Sequence, residues 1–143
     1  MERVVIFGRG GAGKSVLARE LGVATGLPVV ELDKEIWSDQ LVALPTEEWE
    51  RRQAVLSDQP RWIMDGDLGP YDEVGPRLTR ADTVVVLDLP LWPCAWRAWR
   101  RGPERRDCRP VLLRAIADLA PRASVVILRS PGSVRRWMNG VGS

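Results

Sequence analysis

A short stretch near the start of the sequence combines glycines, a lysine and a serine at a spacing suited to phosphate chemistry. Residues 8–15 read Gly-Arg-Gly-Gly-Ala-Gly-Lys-Ser and fit the pattern G-x-x-x-x-G-K-[ST], directly after an apolar run and directly before a helical pattern. The glycines let successive backbone N–H groups point inward, and the following helix adds its positive end to the anion site. This stretch, the phosphate loop, predicts binding of a nucleoside triphosphate, either ATP or GTP.

The side chains of the phosphate loop have separate predicted roles. We expect Lys14 to reach the β and γ phosphates and to act in catalysis, and we expect the Ser15 hydroxyl to ligate Mg²⁺. The alternative is a glycine-rich turn that only joins a strand to a helix, and the spacing with the adjacent lysine and serine argues against it. The expected nucleotide contacts in this stretch are Gly10, Gly11, Ala12, Gly13, Lys14, Ser15 and Val16.

Four aspartates follow predicted strands: Asp33, Asp65, Asp67 and Asp88. In open α/β sheets, ligands bind at the carboxyl ends of the strands, so these side chains are expected near the phosphate loop. The sequence contains no histidine, which leaves carboxylates as the candidates for proton transfer. We predict that Asp33 is the base on the acceptor side and that Asp65 belongs to the magnesium shell. A turn or helix-cap role is the alternative for each, most of all for Asp88, which precedes Pro90.

The segment that follows Asp33 is expected to hold the acceptor of the phosphoryl group. Trp37 and Trp49 flank this segment and could wall an aromatic or apolar pocket, with core packing as the alternative for each. Asp67 is predicted to lie at the same crevice. The predicted substrate contacts are therefore Asp33, Trp37 and Asp67.

An arginine-rich stretch surrounds the helix-breaking dipeptide Gly102-Pro103. We predict a short cationic lid at about residues 100–109 that closes over the triphosphate. Arg97, Arg101 and Arg105 are the predicted residues that neutralise charge in the transition state. A solvated basic face is one alternative. Nucleic-acid binding is another, weakened by a net charge of only +2 and by the lack of a recognition-helix pattern.

Apolar, β-branched runs alternate with helical patterns along the whole sequence. The runs predict buried strands at residues 4–7, 28–32, 62–64, 83–87 and 124–128. The helical patterns predict helices at residues 14–25, 46–56 (with Thr46 as N-cap), 90–100, 110–119 and 133–138. Trp92, Trp96 and Trp99 share one face of the third of these helices, which indicates core packing. The alternation predicts a three-layer α/β domain, a parallel sheet with helices on both faces.

Length and composition set outer bounds on the function. At 143 residues and 45% hydrophobic content, the chain is expected to form one domain over residues 1–143. It has no apolar run typical of a signal peptide or a membrane span, so we expect a cytoplasmic protein without a membrane partner. Cys94 and Cys108 are the only cysteines and do not have zinc-ligand spacing, so any metal must be held by oxygen. The expected assembly is a monomer or a dimer.

Several segments together resemble a known superfamily. They are the phosphate loop, Leu32-Asp33-Lys34 with Trp37, Trp62-Ile63-Met64-Asp65-Gly66, Arg80-Ala81-Asp82-Thr83 and Leu128-Arg129-Ser130-Pro131. The sequence resembles the small P-loop kinases, which include adenylate kinase, shikimate kinase and chloramphenicol phosphotransferase, and most of all the adenylate-kinase-like topology modulation proteins. The resemblance implies the P-loop NTPase fold with sheet order 2-3-1-4-5. It also implies that residues 129–132 lie near the purine base, with Arg129 and Pro131 as nucleotide contacts.

One segment departs from the nucleoside monophosphate kinases of that superfamily. Those enzymes carry an Asp-Gly-Phe-Pro-Arg type segment whose arginine binds the acceptor phosphate, whereas this chain reads Asp65-Gly66-Asp67-Leu68-Gly69. An acidic residue there would repel a monophosphate, and residues 34–44 contain no arginine. We therefore predict transfer of the γ-phosphoryl group to a hydroxyl of a small molecule, such as an antibiotic or a nucleoside-like metabolite. A nucleoside monophosphate kinase and a nucleotide-binding regulator without phosphotransfer are the alternatives.

Overall fold

The apolar runs of the sequence form a five-stranded parallel sheet. The computed structural model describes residues 1–37, 40, 42–66, 74–90 and 109–143. The strands are β1 (Arg3–Gly8), β2 (Val29–Glu31), β3 (Trp62–Asp65), β4 (Thr83–Leu87) and β5 (Ser124–Leu128). Their order is β2-β3-β1-β4-β5, and all neighbouring pairs are parallel. This order confirms the arrangement implied by the resemblance.

The sequences of the central strands are continuous apolar runs and do not alternate between apolar and polar residues. Residues of β3 and β4 are buried throughout, as are the four inner residues of β1, because helices cover both faces of the sheet. In the register of the sheet, Ile6 and Glu31 both pair with Asp65, and Gly8 pairs with Leu87. The carboxyl ends of β1 to β4 therefore meet along one edge, which we call the carboxyl edge.

The described helices lie on both faces of the sheet. They are α1 (Lys14–Thr25), α2 (Leu32–Glu35), α3 (Thr46–Asp58), α4 (Gly75–Arg80), α5 (Arg109–Leu119) and α6 (Pro131–Val141). On one face, Leu21 of α1 and Trp137 of α6 join the same apolar cluster. On the other face, a second cluster contains Trp49 of α3, Leu78 of α4 and Ile116 of α5. The structure is the predicted three-layer α/β P-loop fold.

The second strand is shorter than its sequence predicts. It was expected over residues 28–32, but it ends at Glu31 because Leu32 begins the single turn of α2. Leu32 is fully buried and turns the chain into the core at this point. Asp33 consequently lies on a helical turn after the strand and not at the strand end itself.

Two helix starts also differ from their predicted positions. Thr46 is the first residue of α3 and not its N-cap, because Pro45 occupies the extended cap position and forms no side-chain cap hydrogen bond. The last helix begins at Pro131, two residues before the predicted start. Ser130 caps it: its Oγ accepts from the Ser133 N–H at 3.1 Å, while the Ser133 Oγ accepts from the Ser130 N–H at 3.0 Å.

Some predictions fall on residues 91–108, which lie outside the described part of the chain. They are nearly all of the helix expected at residues 90–100, the tryptophan stripe at 92, 96 and 99, and most of the arginine-rich lid. Within the described ranges, none of the helices has the length and apolar character needed to cross a membrane.

Candidate nucleotide and acceptor site

The phosphate loop leaves β1 at the carboxyl edge and forms a tight turn before α1. The Ala12 N–H donates to the Arg9 carbonyl at 3.0 Å, and Gly11 and Gly13 have φ values of 79° and 89°. Positive φ favours glycine because a side chain strains this conformation. Gly13 directly precedes Lys14, the first residue of α1, so the loop ends at the amino end of a 12-residue helix. That end carries the partial positive charge that suits an anion site.

Gly8 lets the phosphate loop approach β4 closely. A Cβ at Gly8 would lie 2.9 Å from the Leu87 Cβ and 3.4 Å from the Lys14 Cγ. Lys14 Nζ donates to the carbonyl oxygens of Gly8 at 2.7 Å and Arg9 at 3.1 Å. These acceptors are neutral, and phosphate oxygens can replace them because an ammonium binds charged acceptors more strongly.

The predicted nucleotide contacts of the loop differ in exposure. Gly11 and Ala12 are buried, and the Ala12 side chain belongs to the core cluster beneath α1. Gly10 is half-buried, like Gly13, Lys14 and Ser15 around it, whereas 54% of Val16 is exposed on the first turn of α1. The surface that solvent reaches is therefore formed by Gly10, Gly13, Lys14, Ser15 and Val16.

Asp65, the last residue of β3, is buried beside the phosphate loop, with only 3% of its surface exposed. Its carboxylate is hydrogen-bonded to the Ser15 side chain, and its Oδ1 atom has no hydrogen-bond partner. Burial raises the pKa of Asp65, against the opposing effects of the Ser15 hydrogen bond and the Lys14 charge. The charges of Asp33 and Glu31 raise this pKa further. The structure thus brings together the two predicted magnesium-shell residues, Ser15 and Asp65.

Asp33 lies on the exposed side of α2. Leu32 and Ile36, its neighbours on the buried side of this turn, belong to the core. Gly66 has a φ of 148° and packs against the turn: a Cβ there would lie 2.8 Å from the Leu32 Cβ and 3.6 Å from the Asp33 nitrogen. This close approach puts Asp33 and Asp65 on adjoining segments of the carboxyl edge.

The two tryptophans of the predicted acceptor segment have different environments. Trp37 is 49% exposed, and its backbone pairs with Ala43 in an isolated antiparallel bridge. The Leu44 N–H also donates to the Ile36 carbonyl at 2.9 Å, which fixes the backbone around Trp37. Trp49 is 1% exposed and belongs to the core. Trp37 is available to contact a ligand, whereas Trp49 has the packing role that the sequence left as its alternative.

Two ion pairs flank Asp33. Lys34 Nζ lies 2.7 Å from the Glu31 Oε2 atom. Arg52 of α3 donates from Nε and Nη2 to Glu35 Oε2 at 3.1 and 2.8 Å, which ties α2 to α3. The hydrogen bond from Lys34 lowers the pKa of Glu31 against the effect of its burial, and the charge of Arg19 adds to the decrease.

The other predicted nucleotide contacts follow β5. Arg129 Nε lies 3.6 Å from the Asp88 Oδ2 atom, and the Asp88 N–H donates to the Leu128 carbonyl at 2.9 Å. Asp88 therefore links the ends of β4 and β5. Pro131 is the first residue of α6, at the same edge of the sheet.

Four predicted site residues lie outside the described part of the chain: Asp67, Arg97, Arg101 and Arg105. Over residues 1–37, 42–66, 74–90 and 109–143, no group of three or more His, Cys, Asp or Glu side chains could hold a metal ion. Mg²⁺ commonly takes one or two protein ligands and completes its shell with phosphates and water. The Ser15 hydroxyl and the unpartnered Oδ1 of Asp65 fit that donor set.

The sequence analysis missed a buried arginine behind the site and the short helix that carries it. Arg77 of α4 is fully buried; its Nη1 donates to the Gln53 Oε1 of α3 at 2.8 Å, and its guanidinium carbon lies 5.2 Å from the centroid of the Phe7 ring. Phe7 is next to the phosphate loop, so this contact connects α3 and α4 to the end of β1. Pro76 in the first turn was a signal for the helix, but burial of an arginine is too rare to expect.

No family model matches the sequence, and no curated protein matches it. Solved structures do match over nearly the whole chain. A sugar kinase from a Janibacter species has 20% identity and a TM-score of 0.59, covering 100% of this chain and 99% of its own. Shikimate kinase from Acinetobacter baumannii has 19% identity and a TM-score of 0.61, with coverage of 99% and 90%. A gluconokinase from Sinorhizobium meliloti has 18% identity and a TM-score of 0.56, with coverage of 98% and 91%.

At these identities the similarity establishes the fold. The chain has the α/β P-loop kinase-like fold with strand order 2-3-1-4-5, as the resemblance in the sequence implies.

Proposed function

We propose that the chain is a magnesium-dependent phosphotransferase that moves the γ-phosphoryl group of ATP or GTP to a hydroxyl of a small molecule. The observation that carries this proposal is the contact between Ser15 and Asp65 beside the phosphate loop. A hydroxyl and a carboxylate at this place are the protein ligands that magnesium nucleotides use in P-loop proteins. Three proteins of the same fold are kinases named for a sugar, shikimate and gluconate, which supports a small-molecule acceptor.

The triphosphate would bind along the phosphate loop and the amino end of α1. Lys14 would exchange the carbonyls of Gly8 and Arg9 for the β and γ phosphate oxygens, which needs only a movement of its side chain. Arg129 and Pro131, at the end of β5, are proposed to lie beside the purine base. The proposal includes both ATP and GTP as phosphoryl donors.

Ser15 and Asp65 are the proposed magnesium-shell residues. When bound, magnesium would neutralise charge on the phosphates and on the transferring group. Asp65 is suited to hold it because its Oδ1 is buried without a partner, so a cation there removes an unfavourable burial of charge. The hydrogen bond with Ser15 orients both groups before any ligand binds.

Asp33 is the proposed base on the acceptor side. It is exposed on α2, and the packing of Gly66 against the same turn keeps it close to the end of β3. A carboxylate within hydrogen-bond reach of the acceptor hydroxyl can orient it and accept its proton as the new bond to phosphorus forms. Trp37 would contact the acceptor from the adjoining turn. The roles of Asp67 and of Arg97, Arg101 and Arg105 remain predictions from the sequence.

A nucleoside monophosphate kinase is the alternative enzyme. Its acceptor carries a phosphate, which needs a cation to bind it. Lys34 already forms an ion pair with Glu31, and Arg52 forms one with Glu35. A monophosphate would have to break one of these ion pairs to bind either cationic side chain. This observation favours an acceptor without a phosphate, such as an antibiotic or a nucleoside-like metabolite.

The test is a phosphoryl-transfer assay with radiolabelled ATP and GTP, with and without Mg²⁺, against a panel of hydroxyl compounds and nucleoside monophosphates. We expect magnesium-dependent labelling of hydroxyl compounds and little labelling of monophosphates. Rapid phosphorylation of AMP with none of the alcohols would establish the alternative enzyme. Nucleotide binding without transfer to any member of the panel would establish a regulator.

The Asp33→Asn variant tests the base within the same assay. General-base assistance is typically worth about a hundred- to ten-thousand-fold in rate, so kcat should fall by that order with little change in triphosphate affinity. Raising the Mg²⁺ concentration should not restore the rate, whereas it would partly offset the loss of a metal ligand. The matched control is Asp58→Asn, since Asp58 is an exposed carboxylate at the end of α3. Near-normal turnover of Asp33→Asn would refute this assignment.

A further inference from the structure

The segment that follows β2 at the carboxyl edge holds an exposed carboxylate, Asp33, and an exposed aromatic ring, Trp37, four residues apart. Leu32 and Ile36, four residues apart, are both buried in the core and fix the inner side of this segment. Asp33 lies in α2 directly after Leu32, and Trp37 lies directly after Ile36, just beyond the end of α2, so each exposed residue follows one of the buried pair on one short segment. Both are exposed, and the backbone at Trp37 is held by its bridge to Ala43.

The basic side chains around Asp33 already form ion pairs or hydrogen bonds with other groups. Lys34 pairs with Glu31 at 2.7 Å, and Arg52 pairs with Glu35 at 2.8 Å. Arg19 donates from Nε to the Ser15 carbonyl at 3.0 Å, and its charge acts on Glu31. Among the residues that the structure describes, Asp33 forms no ion pair.

Asp65 and the bound nucleotide add negative charge at this part of the edge, and Lys14 offsets one of these charges. Asp65 is buried with an unpartnered Oδ1, and the charge of Asp33 is close enough to act on it. The magnesium complex of a nucleoside triphosphate adds a net negative charge, because its four phosphate charges exceed the two of the metal. A cationic group on the acceptor would therefore be attracted to this edge, and an anionic group would be repelled.

We propose that Asp33 and Trp37 recognise an ammonium group, so that the acceptor is an amine-bearing alcohol such as an amino sugar. An indole face is the best aromatic partner for a cation, and a carboxylate beside it supplies the opposite charge. The ammonium lies over the Trp37 ring while Asp33 contacts both the ammonium and the neighbouring hydroxyl. This inference rests on the proposed phosphotransferase function and specifies its substrate class.

The test compares three acceptors with the same sugar ring and a cationic, neutral or anionic nitrogen substituent: D-glucosamine, N-acetyl-D-glucosamine and N-sulfo-D-glucosamine. A second set, 3-amino-1-propanol, 1,3-propanediol and 3-hydroxypropanoate, varies charge on a flexible chain. Rates are measured at pH 6.5 and constant ionic strength, because exposed charges are screened by salt. We expect kcat/KM for the cationic member to exceed that of its neutral partner by about tenfold, equivalent to about 1.4 kcal/mol.

The variant Trp37→Leu separates recognition of the ammonium from a structural role. We expect it to reduce the ratio of cationic to neutral kcat/KM by about two- to fivefold, the range of an exposed cation–π contact. The change should come mainly from KM, and Trp37→Tyr should restore most of the ratio. The matched control is Val55→Ala, an exposed apolar residue on α3, which should leave the ratio unchanged.

The possible failures of the two proposals are distinct. Transfer to neutral or anionic members at equal or higher kcat/KM would overturn the ammonium site and leave the phosphotransferase proposal intact. A Trp37→Leu variant that lowers all rates equally, with the ratio unchanged, would also overturn it. No transfer to the cationic compounds, with transfer to other alcohols of the wider panel, would overturn the ammonium site alone, whereas no transfer to any compound of that panel would overturn the phosphotransferase proposal.

Discussion

The substitution Asp65→Asn should make the protein more stable and lower its affinity for magnesium nucleotides. Asp65 is 3% exposed, and its Oδ1 has no hydrogen-bond partner. Asparagine has the same shape, and its amide can keep the hydrogen bond with Ser15. The variant removes the buried negative charge and one proposed magnesium ligand while leaving the packing of β3 unchanged.

The expected increase in the free energy of unfolding follows from the pKa of Asp65, which is raised chiefly by burial. Between the ordinary aspartate value of about 3.9 and the raised value, the folded protein binds more protons than the unfolded one. The free energy of unfolding therefore falls as pH rises through this window and stays lower at neutral pH. A buried polar atom without a partner typically costs about 1–3 kcal/mol, and more when it is charged. Removing the charge from Asp65 is therefore expected to raise the free energy of unfolding by about 1 kcal/mol at pH 7, or about 3–5 °C in Tm.

Thermal unfolding from pH 3.5 to 8 and titration calorimetry with magnesium nucleotide measure the two effects. The stability difference between Asp65→Asn and wild type should be small at the acidic end and grow as pH rises. Nucleotide affinity in Mg²⁺ should fall at least about tenfold, and affinity in EDTA should fall less, since a metal ligand typically contributes on that scale. A variant that melts below wild type at pH 7, or that keeps full magnesium-dependent affinity, would refute the reasoning.

Three further substitutions, one of them with a matched control, test other parts of the edge and the sheet. Lys14→Ala should reduce phosphoryl transfer by at least about a hundred- to thousandfold. Its cost in stability should be under about 1 kcal/mol, because the side chain is half-buried and bonds to the loop carbonyls of Gly8 and Arg9, and a Tm loss typical of a core mutation would contradict this. Gly66→Ala should cost about 1–3 kcal/mol in urea unfolding, because its φ is 148° and the new Cβ meets Leu32 at 2.8 Å. Gly140→Ala, in α6 with open space around it, should be neutral or stabilising, and equal losses from the two would remove the steric argument. The Asp82 carboxylate accepts hydrogen bonds from the Thr83 hydroxyl and from the Glu2 and Arg3 amides. These hydrogen bonds outweigh the effect of burial and lower the pKa of Asp82. The contribution of Asp82 to the free energy of unfolding is present above the ordinary aspartate pKa and is lost as pH falls through the lowered pKa of Asp82. Asp82→Asn should therefore lower the free energy of unfolding by about 1 kcal/mol at neutral pH and by less in acid.

The fold could be predicted from the sequence because its signals are local and repeated. Each central strand is a continuous apolar run, and the phosphate loop with its glycines marks the first strand-to-helix connection. The strand order could not come from periodicity, since any order buries the same runs. It came from the resemblance, and the parallel pairing of β1 with both β3 and β4 confirms it.

The parts of the site that the sequence did not reveal depend on contacts between distant segments. The burial of Arg77 against Phe7 and Gln53 involves three elements, and no local pattern distinguishes it from an exposed arginine on a helix. The turn of α2 was missed for a different reason. The strand-like run before Asp33 continues through Leu32, so only the three-dimensional position of that side chain in the core shows where the strand ends.

The different burial of the two carboxylates decides how their roles are divided. The raised pKa of Asp65 would by itself suit a general base, because a catalytic base works best with a pKa near the operating pH. Geometry argues the other way, since its carboxylate is bonded to Ser15 on the phosphate side and little of it is exposed to an acceptor. In a loose phosphoryl-transfer transition state, the orientation of the acceptor hydroxyl contributes more than the strength of the base. Asp33, exposed beside Trp37, can orient an acceptor without giving up a magnesium ligand, so the proposed mechanism assigns the metal to the buried carboxylate and the acceptor to the exposed one.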